Sequence, residues 1–201
     1  MKNKIVFILL TIGCFLQSCS RSSLAPSELI KWVENKENGL VQRQDLNNYF
    51  FEAKYKPLDY VIAIEGRSDD LSKSDFDRLK GELNGLQYID MDIGPLTNEG
   101  NILSSGLESE EEYFERLDYF VTYANQDIFI VQGRDTLMPK LYHFERNYGL
   151  APKNTLLLGF ENGEQEKDIN LYIDDQVLGV GRVKFLFKNE DIKSTPTLKL
   201  N

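Results

Sequence analysis

Histidine, tryptophan and cysteine are nearly absent from this chain: one His, one Trp and two Cys in 201 residues. Each scarcity excludes something. His143 has no second histidine with which to share a zinc ion, and zinc sites are built from several nitrogen or sulfur ligands. Both cysteines, Cys14 and Cys19, fall in the first twenty residues. The rest of the chain therefore has no thiol for a disulfide framework, a thiolate metal site or a Cys–His nucleophile pair. No Gly-x-Ser-x-Gly elbow occurs, so acyl transfer has no visible machinery. Gly179-Val180-Gly181 lacks the third glycine and the strand-to-helix setting of a dinucleotide fingerprint. A bulge or tight bend in a sheet explains it better. Positive charge is also short, with 23 basic against 32 acidic residues and a net charge of −9. That balance argues against nucleic-acid partners. No catalytic, cofactor-binding or metal-binding set emerges from these residue types.

What the chain does have begins at its N-terminus. Lys2 and Lys4 precede an apolar block from Ile5 to Leu16, whose first six residues, Ile5 to Leu10, are greasy on every face. It has the length of a secretory h-region and stops well short of the roughly 20 residues that a membrane-spanning helix needs. The block ends in Leu16-Gln17-Ser18-Cys19, with an aliphatic residue at −3, a small one at −1 and then cysteine. This pattern resembles the lipobox of bacterial lipoproteins. The resemblance implies that residues 1–18 are a signal peptide, cut off by a dedicated peptidase. It also implies that the Cys19 thiol receives a diacylglyceryl group and its new amine an acyl chain such as palmitate. At about 0.8 kcal/mol per buried CH₂, two or three chains make a lasting anchor where one does not. Loss of Lys2 and Lys4 would take the charge from −9 to −11. Residues 19–27 then read as a lipidated cysteine and a short polar linker, spanning about 25–30 Å if extended.

Two further resemblances bear on location. Ser20 does not resemble the aspartate-type signal that retains lipoproteins in the inner membrane of enteric bacteria, which implies the outer membrane. Ser20-Arg21-Ser22-Ser23 lacks the acidic stretch associated with surface export in some Bacteroidota, which implies the periplasmic face. A lipobox ahead of an acidic, aromatic-rich, cysteine-free domain is similar to envelope lipoproteins of Gram-negative Bacteroidota-like bacteria. The partners implied are the membrane, through Cys19, and another envelope protein.

Residues 28–192 read as a single α+β domain. Helical spacing appears in Ser27–Val33, with Trp32 packed into the core, and in Ser74–Leu83, where Phe76, Leu79 and Leu83 form one stripe. Leu58–Glu65 carries both helix and strand signals and is taken as helix after Pro57. Ser109-Glu110-Glu111-Glu112 fits a capping box. Tyr113, Leu117, Phe120, Val121 and Ala124 repeat behind it at helical spacing. Strands are expected at 40–43, 49–55, 87–93, 127–131, 141–146 and 155–160. Alternation also marks Ile169-Leu171-Ile173 and Val183-Phe185-Phe187. The pattern predicts an antiparallel sheet, meander-rich in its C-terminal half, with two or three helices layered on it. Residues 193–201 read as a loosely ordered tail.

Few residues suggest chemistry. Asp90 and Asp92 share a strand face, as paired acids of a glycosidase must, although the solvated face of an amphipathic strand explains them as well. Asp168, Asp174 and Asp175, with Glu161-Asn162-Gly163-Glu164, offer oxygen ligands for calcium but not the spacing of a calcium loop. Arg134-Asp135 resembles a turn-capping pair. Glu110–Glu112 suits a helix N-terminus better than a metal. The reading that follows is a membrane-anchored, non-enzymatic envelope lipoprotein that binds or scaffolds another component. The alternatives are a carboxylate hydrolase of envelope glycans using Asp90 or Asp92, and a calcium-dependent binder.

Overall fold

The computed structural model describes residues 22–67, 69–97, 100–148, 150–164 and 166–200. Its elements, in chain order, begin with β1 (Ser23–Leu24), α1 (Pro26–Glu34), β2 (Val41–Leu46), β3 (Tyr49–Lys56), α2 (Leu58–Gly66), α3 (Lys73–Leu83) and β4 (Leu86–Pro95). They continue with α4 (Glu110–Asp118), β5 (Ile128–Gln132), β6 (Asp135–Leu137), β7 (Pro139–Glu145) and β8 (Asn154–Glu161). β9 (Ile169–Asp174), β10 (Arg182–Phe187), α5 (Asn189–Ser194) and β11 (Thr197–Leu198) complete the chain. The α+β class expected from the sequence is what the molecule adopts.

Local chemistry places most of these elements. Pro26 starts α1 at the first helical position, where its missing amide costs nothing. The Ser72 hydroxyl caps α3 by accepting from the Asp75 amide at 3.1 Å. Ser109 caps α4 in the same way, from Glu112 N at 3.2 Å. The Glu112 carboxylate reaches back past the cap, to Glu108 N at 3.1 Å. α2 buries Tyr60, Val61, Ile62 and Ala63 in succession. A helix enclosed on nearly all sides carries no amphipathic stripe, which is why its sequence reads ambiguously.

The strands form two antiparallel sheets where the sequence suggested one. The larger runs β2-β3-β4-β8-β7 and the smaller β10-β9-β5-β6. Their inner faces share one apolar cluster: Phe51, Met91, Ile93, Leu156, Leu158 and Phe160 from the larger sheet meet Ile130, Leu171, Phe185 and Phe187 from the smaller. Alternation within a strand reveals that one face is buried but not which sheet buries it, so the division escaped the pattern.

Several connections join the sheets, among them one chain crossing and two sets of side-chain hydrogen bonds. The chain steps from β6 to β7 through Met138, with a register irregularity between Pro139 and Leu141. Inside the sandwich, Gln87 of β4 donates to the Gln132 side chain of β5 at 3.0 Å. At the other seam, Gln42 and Gln44 of β2 donate their amides to the Leu186 and Lys184 carbonyls of β10. These side chains stand in for a neighbouring strand and occupy an edge that would otherwise invite pairing.

α1, α2 and α3 build a second apolar cluster around Leu29, Val33, Tyr60, Ile62 and Leu79. It sits where β3 leaves the larger sheet and β4 returns. Tyr55 and Ile192 pack against both clusters, and Trp32 packs against the second, as expected. α4 runs on into a π-turn over Tyr119–Tyr123, where Ala124 N bonds Tyr119 O. The wider turn rotates the stripe: Tyr119, Phe120 and Ala124 are buried, whereas Val121 is 49% exposed. The Tyr142 hydroxyl donates to the Phe120 carbonyl, a group left without its α-helical partner.

The tail and the linker also depart from expectation. Residues 193–200 are ordered: α5 extends to Ser194, and β11 pairs in parallel with β1. Thr197 N donates to Ser22 O at 3.0 Å and Lys199 N to Leu24 O at 2.8 Å. Leu198, 7% exposed, joins the helical cluster. Two leucines among polar residues were too weak a signal to predict this. The polar linker is likewise shorter than residues 19–27, because pairing begins at Ser22 and α1 at Pro26.

Candidate functional site

The residues that sequence reasoning singled out are mostly occupied with structure. Cys19 lies outside the described residues. His143 is exposed on the outer face of the larger sheet, opposite Leu157. Asp174 is gripped by both ends of the Arg182 guanidinium, at 2.6 and 2.8 Å, which holds its carboxyl below the usual range. Asp175 accepts the amides of Val177, Leu178 and Val180 and shapes the turn before β10. Gly179 and Gly181 supply that turn with φ of +70° and +72°. Asp168 accepts from Asn189 N at the start of α5, and Glu164 accepts from Arg134 N. Among the described residues, no group of three or more His, Cys, Asp or Glu could hold a metal ion.

Asp90 and Asp92 do share the outer face of β4, within a ladder of opposite charges. Asp90 meets Lys56 at 3.1 Å, while Asp92 engages Lys153 and the Thr155 hydroxyl. Burial pushes the Asp90 carboxyl above its ordinary range; Lys56 and Lys54 oppose the shift and Asp92 adds to it. The folded state therefore keeps a proton on Asp90 that the unfolded chain has already released. Its contribution to stability is full below the ordinary carboxylate pKa of about 3.9 and is lost as pH rises through the elevated value. An Asp90→Asn protein should lose that part of the decline in stability, read as urea midpoints across the acid range. A slope identical to wild type would refute the assignment. Lysines already neutralise both carboxylates, and neither lines the cleft described next.

That cleft, of about 470 Å³, lies between the β3–α2 junction, α3 and the C-terminal tail. Its wall is half apolar, from Leu58, Phe76, Ile192 and Leu198, and half polar, from Tyr55, Asp59, Lys80, Thr195 and Thr197. Three features make it receptive. The Thr195 hydroxyl is buried, in a residue 7% exposed, and has no hydrogen-bond partner among the described residues. Leaving such a group unpaired costs about 1–3 kcal/mol. Lys80 forms no ion pair among the described residues; its ammonium stands 5.6 Å from the centre of the Phe76 ring. The first turn of α2 opens onto the cleft, and its cap, Pro57, supplies no side-chain acceptor for the amides there. Burial raises the Tyr55 phenol to about 12, so it stays protonated and able to donate. Asp59 is the one carboxylate in the wall, and its Oδ2 is committed to Leu198 N at 2.8 Å.

Sequence reasoning missed this site because three distant segments assemble it. Thr195 and Lys80 are unremarkable residues where they stand in the chain. No protein-family model, curated protein or solved structure matched this chain.

Proposed function

We propose that this chain is a lipid-anchored protein of the bacterial cell envelope that acts as a binding or scaffold module, held at the outer membrane through Cys19 and facing the periplasm. The observation that carries the reading is Leu16-Gln17-Ser18-Cys19 at the end of a 12-residue apolar block, in a chain whose only other cysteine lies within that block. The fold supports it geometrically. Ser22 already accepts a backbone hydrogen bond from Thr197, so only three residue steps separate it from Cys19. They reach about 10–11 Å, which would hold the β1–β11 pair, and with it the cleft, close to the bilayer surface. The occupied carboxylates favour binding over hydrolysis.

Cells expressing the wild type should yield a membrane-bound protein that incorporates labelled palmitate. A Cys19→Ala variant should take up no label and leave the membrane after carbonate extraction only if the signal segment is also cleaved. Equal labelling of the two proteins would remove the anchor. Crosslinking in intact cells then addresses the scaffold role, which predicts a defined partner captured by the anchored form and not by the variant.

A further inference from the structure

We propose that the cleft between α2, α3 and the tail binds an anionic amphiphile: a phosphate or carboxylate head set against the first turn of α2, Lys80 and Thr195, with an apolar body along Phe76, Ile192 and Leu198. The ligand class deepens the proposed binding role and rests on it; the site itself does not depend on the anchor.

The wall is rich in donors. The ammonium of Lys80, the hydroxyl of Thr195, the phenol of Tyr55 and the first-turn amides of α2 all have hydrogens to give. Helix N-termini favour anions through unpaired amides and the aligned peptide dipoles. That tendency alone would not define a site. The independent sign is Thr195, a residue of the cleft wall whose hydroxyl is buried and has no hydrogen-bond partner among the described residues. Asp59 opposes an anion at short range, but the Leu198 amide draws one of its oxygens toward the tail. The ligand must also satisfy the other half of the wall. A bare inorganic anion would leave Leu58, Phe76, Ile192 and Leu198 facing water, whereas an alkyl chain would cover them. Because Leu198 belongs to the strand that pairs with β1, a tethered protein would present this cleft to the membrane surface. A phospholipid headgroup and a soluble alkyl phosphate share the required chemistry.

The test uses the purified full protein in phosphatidylcholine nanodiscs, titrated by calorimetry with hexyl phosphate and with inorganic phosphate. Hexyl phosphate should bind saturably and about ten-fold more tightly than phosphate, as partial burial of a short alkyl chain implies. Lys80→Met should weaken it about ten-fold or more, the loss of one charge-assisted contact. Thr195→Val should weaken it several-fold while melting no lower than wild type, because valine removes an unpaired hydroxyl without changing the shape. Nanodiscs doped with phosphatidic acid separate the two sources: competition with hexyl phosphate identifies the headgroup, and unchanged affinity identifies a soluble ligand. No saturable binding, equal affinity for the two probes, or full affinity in both variants would overturn the proposal. If palmitate labelling fails, the same titration on protein recovered from the soluble fraction still decides the site.

Discussion

Ending the chain at Ser194 is expected to lower stability by about 3–5 kcal/mol, the loss of one buried leucine together with its hydrogen bonds. Leu198 is 7% exposed among Leu29, Val33, Tyr60 and Ile62. Removing it opens the helical cluster to water. The truncation also deletes the amides that bond Ser22 and Leu24 and leaves the Asp59 carboxylate without Leu198 N. β1 has no other strand partner among the described residues, so residues 22–25 would lose their hold on the fold ahead of Pro26. Urea denaturation should show a lower midpoint, and the Leu24 carbonyl would lose the Lys199 amide that protects it. An unchanged midpoint would mean that the tail adds nothing, as its polar composition first suggested. The expected cost is a large share of the roughly 5–15 kcal/mol that holds a domain together. A tail that looks dispensable would then be a structural clamp between β1 and the helices.

That tail marks where the sequence stops being legible. Elements set by short-range chemistry could be read directly: the Ser109 cap, the alternation of Ile89, Met91 and Ile93 in β4, and that of Ile169, Leu171 and Ile173 in β9. Each signal lies within a few residues of its consequence. The division into two sheets was hidden because Phe51 and Phe185 alternate in the same way whether they meet across one core or face different layers. Gln42 and Gln44 read as ordinary polar strand positions, and only the approach of β10 gives them carbonyls to bond. The cleft was invisible for the same reason, since Tyr55, Lys80 and Thr195 are far apart in the chain and individually commonplace. Cys19 lies outside the described residues, and the lipobox proposed there is a linear pattern that the fold neither supplies nor tests. Asp90 and Asp92 were placed correctly on one face, but the lysines that neutralise them come from β3 and from the segment preceding β8.

Replacing Arg116 with methionine is expected to cost about 2–4 kcal/mol, on the scale of a lost hydrogen bond from a charged donor and the carbonyls it leaves unpaired. Its Nη1 donates to Ile102 O at 3.1 Å and Ser105 O at 2.8 Å, and lies 3.3 Å from the Tyr49 hydroxyl. These groups belong to the turn after β4 and to the start of β3, so one side chain of α4 fastens both to the helix. Ile102 and Leu103 are 0% and 5% exposed, and a turn that loses its guanidinium would have to expose them to hydrate its carbonyls. Methionine keeps an unbranched apolar stem in place of arginine's methylenes and removes the guanidinium, so the loss reports chiefly the donors. Lysine should restore only part of it: all of these contacts come from the one nitrogen Nη1, and the shorter, flexible lysine stem sets its ammonium short of that position. Equilibrium urea midpoints for the Met and Lys variants provide the measurement. Full rescue by lysine would show that charge alone matters there. A methionine variant as stable as wild type would show that water satisfies the turn unaided, and that α4 and its π-turn are held by Tyr119, Phe120 and Tyr142 alone.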